Sequence, residues 1–201
     1  DDPTQGEIRL MGQSMRGLPS RAFAALGLGR TFQHVRLLGQ RSVVENVALG
    51  AHRRARRGWL ASMLRLDRGE EAALLAEARR QIERCGLGAH ADVPAASLAL
   101  GQQRIVEIAR ALAAQPAVLL LDEPAAGMTD AETEYTAELF RTLAGQHSLM
   151  VVEHDMEFVR AIAHKVTVLH QGSVLAEGTM DEMQNHPAVV EAYLGEPLGA
   201  A

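Results

Sequence analysis

Five apolar residues, 117–121, run directly into two adjacent carboxylates, Asp122 and Glu123, and Pro124 follows them. An apolar run of this length that ends at a proline is typical of a strand buried on both faces of a parallel sheet. In α/β proteins, ligands bind at the carboxyl ends of such strands. Two acids at that edge suit two tasks, since one can organise Mg²⁺ and the other can polarise a water for attack on a phosphoryl group.

The pattern around this run alternates between strand and helix. It predicts strands over residues 117–122, 148–153, 166–170 and 173–176, and helices over residues 102–114, 130–144 and 156–163. Alternation of this kind predicts a mainly parallel sheet with helices on its faces. Between residues 42 and 87 the pattern is helical throughout, and Gly86 closes a long charged amphipathic helix there. We therefore predict one α/β core that is interrupted by a helical insert.

Composition excludes several classes of protein. The net charge of −5 and the 3% aromatic content do not support nucleic-acid binding. No stretch approaches the roughly 20 uninterrupted apolar residues of a membrane helix. The single cysteine, Cys85, excludes an internal disulfide and fits a reducing compartment. A basic run at residues 53–57, RRARR, could bind a lipid headgroup, but we interpret it as a solvated helix face.

One motif is absent from the sequence. The phosphate-binding loop GxxxxGK[ST] needs a lysine that reaches the β- and γ-phosphates. The chain has one lysine, Lys165, and no glycine-rich turn precedes it. The motif therefore does not occur anywhere in these 201 residues.

Three segments follow one another along the chain: LALGQQR at residues 98–104, AVLLLDEPAAGMTD at 117–130 and VVEHDM at 151–156. Together they resemble the ATP-binding subunit of an ABC transporter, and the resemblance covers nearly the whole chain. It implies a RecA-like P-loop NTPase core with a mainly parallel sheet and an inserted helical subdomain. The family carries its P-loop ahead of the segment that begins here with TQGEIRLMGQ, and the first residue is Asp1. We expect an N-terminally truncated core; the alternative is a natural protein without a P-loop, which would bind nucleotide poorly.

The resemblance also implies a division into four parts. Residues 1–38 are expected to be a remnant of the ATPase core that ends in the Q-loop, and residues 39–110 a helical subdomain with the signature motif. Residues 111–178 would form the α/β core with Walker B, D-loop and switch histidine. Residues 179–201 would form a C-terminal helical tail.

By resemblance, Asp122 is the Walker B acid that holds Mg²⁺ through its water shell. Glu123 is the catalytic carboxylate that orients or deprotonates the attacking water. His154, directly after a predicted strand, resembles the switch histidine that contacts the γ-phosphate. Gln33, in RTFQHVRLL, resembles the Q-loop glutamine that reaches Mg²⁺ and the attacking water. Residues 126–129 match the D-loop, with Thr129 where many family members have an aspartate.

The signature segment, LALGQ, differs from the commonest family form, LSGGQ. It comprises Ala99, Leu100, Gly101 and Gln102 after Leu98. A helix N-terminus preceded by glycine presents N–H groups to an anion, and in the family this element binds the γ-phosphate held by the opposite subunit. Here Ala99 removes a hydroxyl donor and Leu100 replaces a glycine, while the backbone donors remain. The alternative reading is a plain capped helix.

The resemblance implies ATP and Mg²⁺ as cofactors, and an importer for branched-chain amino acids or urea. The expected partners are a second ABC ATPase subunit, in a homo- or heterodimer, transmembrane permease subunits and, indirectly, a periplasmic or lipid-anchored solute-binding protein. The expected place is the cytoplasmic face of the inner or plasma membrane, as a peripheral subunit. Two alternatives are a non-transport ABC-class ATPase and a non-catalytic cassette that acts only as an interaction module.

Overall fold

A computed structural model describes residues 3–31, 35–51 and 68–194 of the chain. The chain divides into two compact units, Asp1–Glu153 and His154–Ala201. The predicted Q-loop glutamine, Gln33, and the basic run at residues 53–57 lie outside the described residues. The four-part division expected from the sequence is a functional one and stays a prediction.

The first unit contains two kinds of layer, a parallel sheet and a group of helices. In chain order its elements are β1 (Arg9–Leu10), β2 (Gln13–Ser14), α1 (Ser20–Ala25), β3 (Leu28–Arg30), α2 (Val43–Ala51), α3 (Arg68–Arg84), α4 (Leu100–Ala113), β4 (Val118–Asp122), α5 (Asp130–Ala144) and β5 (Ser148–Val152). Two short 3₁₀ helices, Gly88–His90 and Ala95–Ser97, join α3 to α4. β1 and β2 form a small antiparallel hairpin.

The three-stranded sheet has the order β3-β4-β5, and both strand pairs are parallel. This confirms the prediction of a parallel sheet with the apolar run as its central strand. Leu119 and Leu121 are buried, as predicted. The expectation that β4 is buried on both faces is wrong, however, because its alternate residues are only half-buried. Met150 and Val152 of β5 pair with Leu120 and Asp122 and lie on the same face of the sheet as these half-buried residues. Met150 is 62% and Val152 is 59% exposed, so the described part of the chain leaves this face accessible to solvent.

In the part of the helical insert that the structure describes, the helices α2, α3 and α4 pack against one another. Each helix turns a stripe of small and branched apolar residues towards the other two. The fully or almost fully buried members are Val43, Val47, Ala51, Ala78, Ile82, Ile105, Val106, Ile108, Ala109 and Leu112. The helices α2 and α4 are in close contact at Gly50, where a Cβ atom would overlap the carbonyl oxygen of Arg110. The absence of a side chain there permits the crossing.

Cys85, at the end of α3, is fully buried, and burial raises the pKa of its thiol to about 12. A thiol with such a pKa is not a nucleophile at neutral pH. Cys85 is therefore a packing residue.

Helix α4 begins at Leu100, two residues earlier than the sequence pattern predicted. The residue before it, Ala99, is extended (φ −61°, ψ 156°), and its N–H donates to Oε1 of Gln102 at 3.2 Å. Gln102 thereby supplies half of a capping box, and Ala99, which has no side-chain acceptor, cannot supply the other half. Leu100 and Gly101 consequently lie inside the first helical turn rather than ahead of it.

Up to residue 194, where the described part of the chain ends, the second unit contains a hairpin and three short helices. Its elements are α6 (Met156–Ile162), β6 (Val166–His170), β7 (Ser173–Gly178), α7 (Met180–Gln184) and α8 (Pro187–Leu194). The strands β6 and β7 are antiparallel, and Gln171 and Gly172 both have positive φ, as a two-residue hairpin turn requires. β7 extends two residues beyond the predicted strand. None of the described helices is both long and apolar enough to span a bilayer.

The Gly50 crossing predicts a specific sensitivity to an added methyl group. We expect Gly50→Ala to lower the free energy of unfolding by about 2 kcal/mol, because the helix backbones must separate. Gly69→Ala is the matched control, since Gly69 also lies in a helix but a Cβ there would meet nothing within 4 Å. The control should be neutral or stabilising, by up to about 1 kcal/mol from helix propensity. Urea unfolding measures both variants, and equal stabilities would contradict the close crossing.

Candidate nucleotide site

The backbone turns sharply between the two acids at the end of β4. Asp122 is the last strand residue, whereas Glu123 has a φ of +45°, in the left-handed region that side chains other than glycine rarely adopt. The N–H of Glu123 donates to the carbonyl of Val152 at 2.9 Å, and Nη1 of Arg104 donates to the Glu123 carbonyl at 3.2 Å. Strained backbone of this kind persists only where the surroundings over-determine it, and it clusters at functional sites.

Asp122 points away from the buried core and keeps 37% of its side chain exposed. Nη2 of Arg30, at the end of β3, lies 3.9 Å from its Oδ2, which is a long and partly solvated ion pair. Around it is a shallow depression, whose further lining residues are Thr31, Arg104, Glu107, Ile108 and Pro124. The carboxylate therefore keeps room for water at the edge of the sheet where ligands are expected.

This arrangement fits a magnesium ion of the kind that accompanies a nucleotide. Mg²⁺ keeps several waters and is commonly bound through one or two carboxylates plus substrate phosphates. Asp122 supplies one partly exposed carboxylate of this type. Among the described residues, no group of three or more histidines, cysteines and acids could hold a metal without further ligands.

The loop after Glu123 is tied to the neighbouring strand by a residue that the sequence analysis missed. Oε1 of Glu153, directly after β5, accepts the N–H of Ala125 at 3.0 Å. The sequence analysis also missed Arg104. Both contacts join residues far apart in the sequence, 28 positions for Glu153 and Ala125 and 19 positions for Arg104 and Glu123. The only sequence signal was that Glu153 ends a predicted strand and that Arg104 closes LALGQQR.

The predicted D-loop, residues 126–129, runs from the acids into α5. The N–H of Ala126 donates to the Glu123 carbonyl at 3.2 Å, which begins the turn. Thr129 is the N-cap of α5 and shares a capping box with Glu132. The backbone N–H of Thr129 donates to Glu132 at 2.9 Å and holds the pKa of that carboxyl below its usual value. Thr129 at the position of the family aspartate thus has a clear local role as a helix cap.

The signature segment packs against the D-loop. Gly101 is buried, and a Cβ atom built on it would overlap the carboxylate of Glu132. A Cβ atom at Gly127 would lie 3.4 Å from Cδ2 of Leu100. Leu100 itself stays 49% exposed, and the first turn of α4 leaves N–H groups that have no partner within the helix.

The structure therefore brings Asp122 and Glu123 together with Arg30 and Arg104. It places the signature residues Ala99, Leu100, Gly101 and Gln102 next to residues 127–132. His154 directly follows Glu153, is exposed and is the first residue of the second unit. Its predicted role at the γ-phosphate, like that of Gln33, stays a prediction.

Residues 1–126 match the family of ABC transporter ATP-binding domains, described as "ABC transporter". The chain belongs to this family. Residues 173–198 match a second family, described as "Branched-chain amino acid ATP-binding cassette transporter". ATP hydrolysis is the function of this family.

Individual relatives carry the same description. LivG of Escherichia coli K12, a high-affinity branched-chain amino acid transport ATP-binding protein, is 41% identical over 96% of this chain and 78% of its own length. BraF of Pseudomonas aeruginosa, with the same description, is 39% identical over the same shares. Among solved structures, the ADP conformation of MJ1267, an ATP-binding cassette, superposes with a TM-score of 0.79 at 25% identity, over 97% of this chain and 79% of that one. A dimeric post-hydrolysis structure of the cassette MJ0796, bound to ADP and Pi, gives a TM-score of 0.73 at 26% identity, over 90% and 75%.

The contact between Gly101 and Glu132 predicts non-additive stabilities. Gly101→Ala should displace the Glu132 carboxylate from its cap and cost about 1 kcal/mol of unfolding free energy. Glu132→Ala should cost a similar amount by itself. The double variant should cost no more than Glu132→Ala, because the added methyl group then has room. Urea unfolding of the four proteins measures the cycle, and additive losses would show that the two residues do not meet.

Proposed function

We propose that this protein is the ATP-binding and hydrolysing subunit of an importer for branched-chain amino acids. The observation that carries the proposal is the geometry at the end of β4, where Asp122 lines a depression and the strained Glu123 directly follows it. The similarity to LivG and BraF supports a transport role. The match of residues 173–198 to the branched-chain amino acid family favours these solutes over urea.

Asp122 would hold the magnesium ion of MgATP through water, as its exposure and its long pairing with Arg30 allow. A bound magnesium ion would neutralise charge on the β- and γ-phosphates. Since its ion pair with Arg30 is long, Asp122 can turn towards an incoming cation at little cost. The depression would then be the place where the nucleotide's terminal phosphates lie.

Glu123 would orient the attacking water and accept its proton. Its positive φ removes the side chain from the strand alternation that Asp122 follows, so the two acids can serve different tasks. The hydrogen bonds from Glu123 to Val152 and from Arg104 to Glu123 hold the backbone that positions this carboxylate. Such preorganisation lowers the cost of reaching the transition state.

Three further parts of the chain, His154, Gln33 and the first turn of α4, would contact a nucleotide by resemblance to the family. His154 would donate a hydrogen bond to a γ-phosphate oxygen, and Gln33 would contact the magnesium ion and the attacking water. The first turn of α4, with Ala99, Leu100, Gly101 and Gln102, would offer its N–H groups to the γ-phosphate of an opposite subunit. The dimeric state of MJ0796 supports such an arrangement.

The assembly would place this subunit against permease subunits on the cytoplasmic face of the membrane, as a peripheral component. Two ATPase subunits, identical or different, would sandwich the nucleotides. Closure of the sandwich would drive the permease between access states, and hydrolysis through Glu123 would reset it. A solute-binding protein would deliver the amino acid to the permease, so the solute itself would not touch this chain.

The role of Glu123 can be tested by removing its charge. In the protein as its gene encodes it, Glu123→Gln should retain ATP binding and lose ATP turnover by at least about a hundredfold, because the general base is gone. Glu134→Gln is the control, since Glu134 is an exposed acid on α5. Phosphate release measures both variants, and undiminished turnover in Glu123→Gln would remove Glu123 from its proposed role.

The missing GxxxxGK[ST] motif makes a second prediction, for the 201-residue chain itself. Without the lysine and the backbone cradle of that loop, the β- and γ-phosphates lose their principal ligands. We expect an ATP dissociation constant weaker than about 1 mM. Isothermal titration calorimetry measures it, and micromolar binding would mean that other residues supply the cradle.

A further inference from the structure

A buried carboxylate and a guanidinium on α4 hold the backbone N–H and carbonyl of one residue in a distant segment. Oε1 of Glu107 accepts the backbone N–H of Arg36 at 2.8 Å. Nη1 of Arg110 donates to the backbone carbonyl of Arg36 at 2.7 Å, and its Nη2 donates to Oε1 of Glu107 at 3.0 Å. Both polar backbone groups of Arg36 are thus satisfied by side chains that lie 71 and 74 positions further along the chain.

The next alternate residue is held in the same way from another helix. Asn46, fully buried on α2, accepts the N–H of Leu38 at 2.7 Å and donates to its carbonyl at 3.1 Å. In a sheet, a neighbouring strand would satisfy alternate residues of an extended segment. Here the side chains of Glu107, Arg110 and Asn46 take the place of that strand. Residues 35–38 are therefore fixed to two helices of the insert.

Glu107 and Arg110 together form a clamp on the backbone of Arg36, and this clamp lies close to the predicted nucleotide site. Thr31, four residues before Val35, is anchored to the central strand by its N–H, which donates to the carbonyl of Leu120 at 3.0 Å. The chain between the two anchors includes Gln33. Glu107 also lines the same depression as Asp122. The clamp thus ties the downstream end of the predicted Q-loop to the helix that carries the signature segment.

The choice of residues also argues for a positional role. The Glu107 side chain is only 3% exposed, and burying an ion pair is costly compared with burying apolar side chains of similar volume. An apolar pair could pack α4 equally well, but it could not hold a peptide N–H and a carbonyl at fixed positions. The paired charges therefore specify geometry rather than add stability.

We propose that Glu107 and Arg110 are positioning residues that set the placement of the Q-loop during ATP hydrolysis. This inference rests on the proposed function. Neither residue would contact the nucleotide, so the clamp should influence the chemical step more than nucleotide binding. A misplacement of about 1 Å in a catalytic group can cost up to a hundredfold in rate.

Four variants test the proposal. Glu107→Ala removes the acceptor of the Arg36 N–H, Glu107→Gln keeps an acceptor without the charge, and Arg110→Lys replaces the planar donor fork by a single point charge. Glu77→Gln is the matched control, because Glu77 is also a buried helical glutamate paired with an arginine three residues later, Arg80. Its hydrogen-bond partners are Arg80 and Gln81, on its own helix, and Gln115, and none of them belongs to residues 35–38.

The first measurement is amide hydrogen exchange over residues 35–38 in the 201-residue chain. We expect about tenfold faster exchange in Glu107→Ala, a smaller increase in Glu107→Gln and Arg110→Lys, and no change in Glu77→Gln. If Glu107→Ala does not fold, the other two clamp variants decide the result. Unchanged exchange in the clamp variants would overturn the proposal, whether or not the protein hydrolyses ATP.

The second measurement is ATP hydrolysis by the gene product assembled with its membrane subunits. The clamp variants should lose about tenfold in kcat with less than about twofold change in KM, and the control should match the wild type. If residues 35–38 exchange faster in the clamp variants but kcat is unchanged, the clamp is a purely structural contact and the positioning role is overturned. A wild-type complex without ATPase activity would instead overturn the proposed function. The exchange measurement would still show whether Glu107 and Arg110 hold residues 35–38, because it does not depend on ATP hydrolysis.

Discussion

The candidate site depends on the parallel register between β4 and β5. The register pairs Asp122 with Val152, and the bond from the Glu123 N–H to the Val152 carbonyl extends it one residue past the strand. A slip by one residue would exchange the two faces of β4, moving Asp122 into the core and Leu121 out of it. The buried positions of Leu119 and Leu121 oppose such a slip, so hydrophobic burial determines where the carboxylates lie.

The sequence was sufficient to predict the elements around the site, for reasons that are local. The apolar run at residues 117–121 predicted β4 to within one residue, and the TDAE sequence at Thr129 supplied a capping box for α5, whose bounds were predicted as observed. Local signals failed at the start of α4. Leucine and glycine are not typical of a first helical turn, and the cap there is only the side chain of Gln102.

The geometry of the site could not be predicted in the same way, because it depends on contacts between distant residues. Nothing in the letters DEP signals a positive φ at Glu123, which is held by Val152 and Arg104. The clamp on Arg36 joins residues more than 70 positions apart. The predicted burial of β4 on both faces failed for a related reason, since a run of apolar letters does not show what covers each face. The residue types at Asp122 and Glu123 were therefore enough to predict their chemistry, whereas the fold determines how the two carboxylates are positioned.

The contact between the signature segment and the D-loop limits how an anion could approach α4. Glu132 lies against Gly101 in the first turn of α4, and hydrogen bonds from Thr129 hold the pKa of its carboxyl below the usual value. Its negative charge complements the helix dipole and, at the same time, repels a phosphate from that side. With the serine hydroxyl of the commonest signature form replaced by Ala99, an anion would have to approach from the exposed side of Leu100 and rely on backbone N–H groups. Binding at this turn would thus depend on the orientation of those donors, which the packing of Gly101 on Glu132 controls.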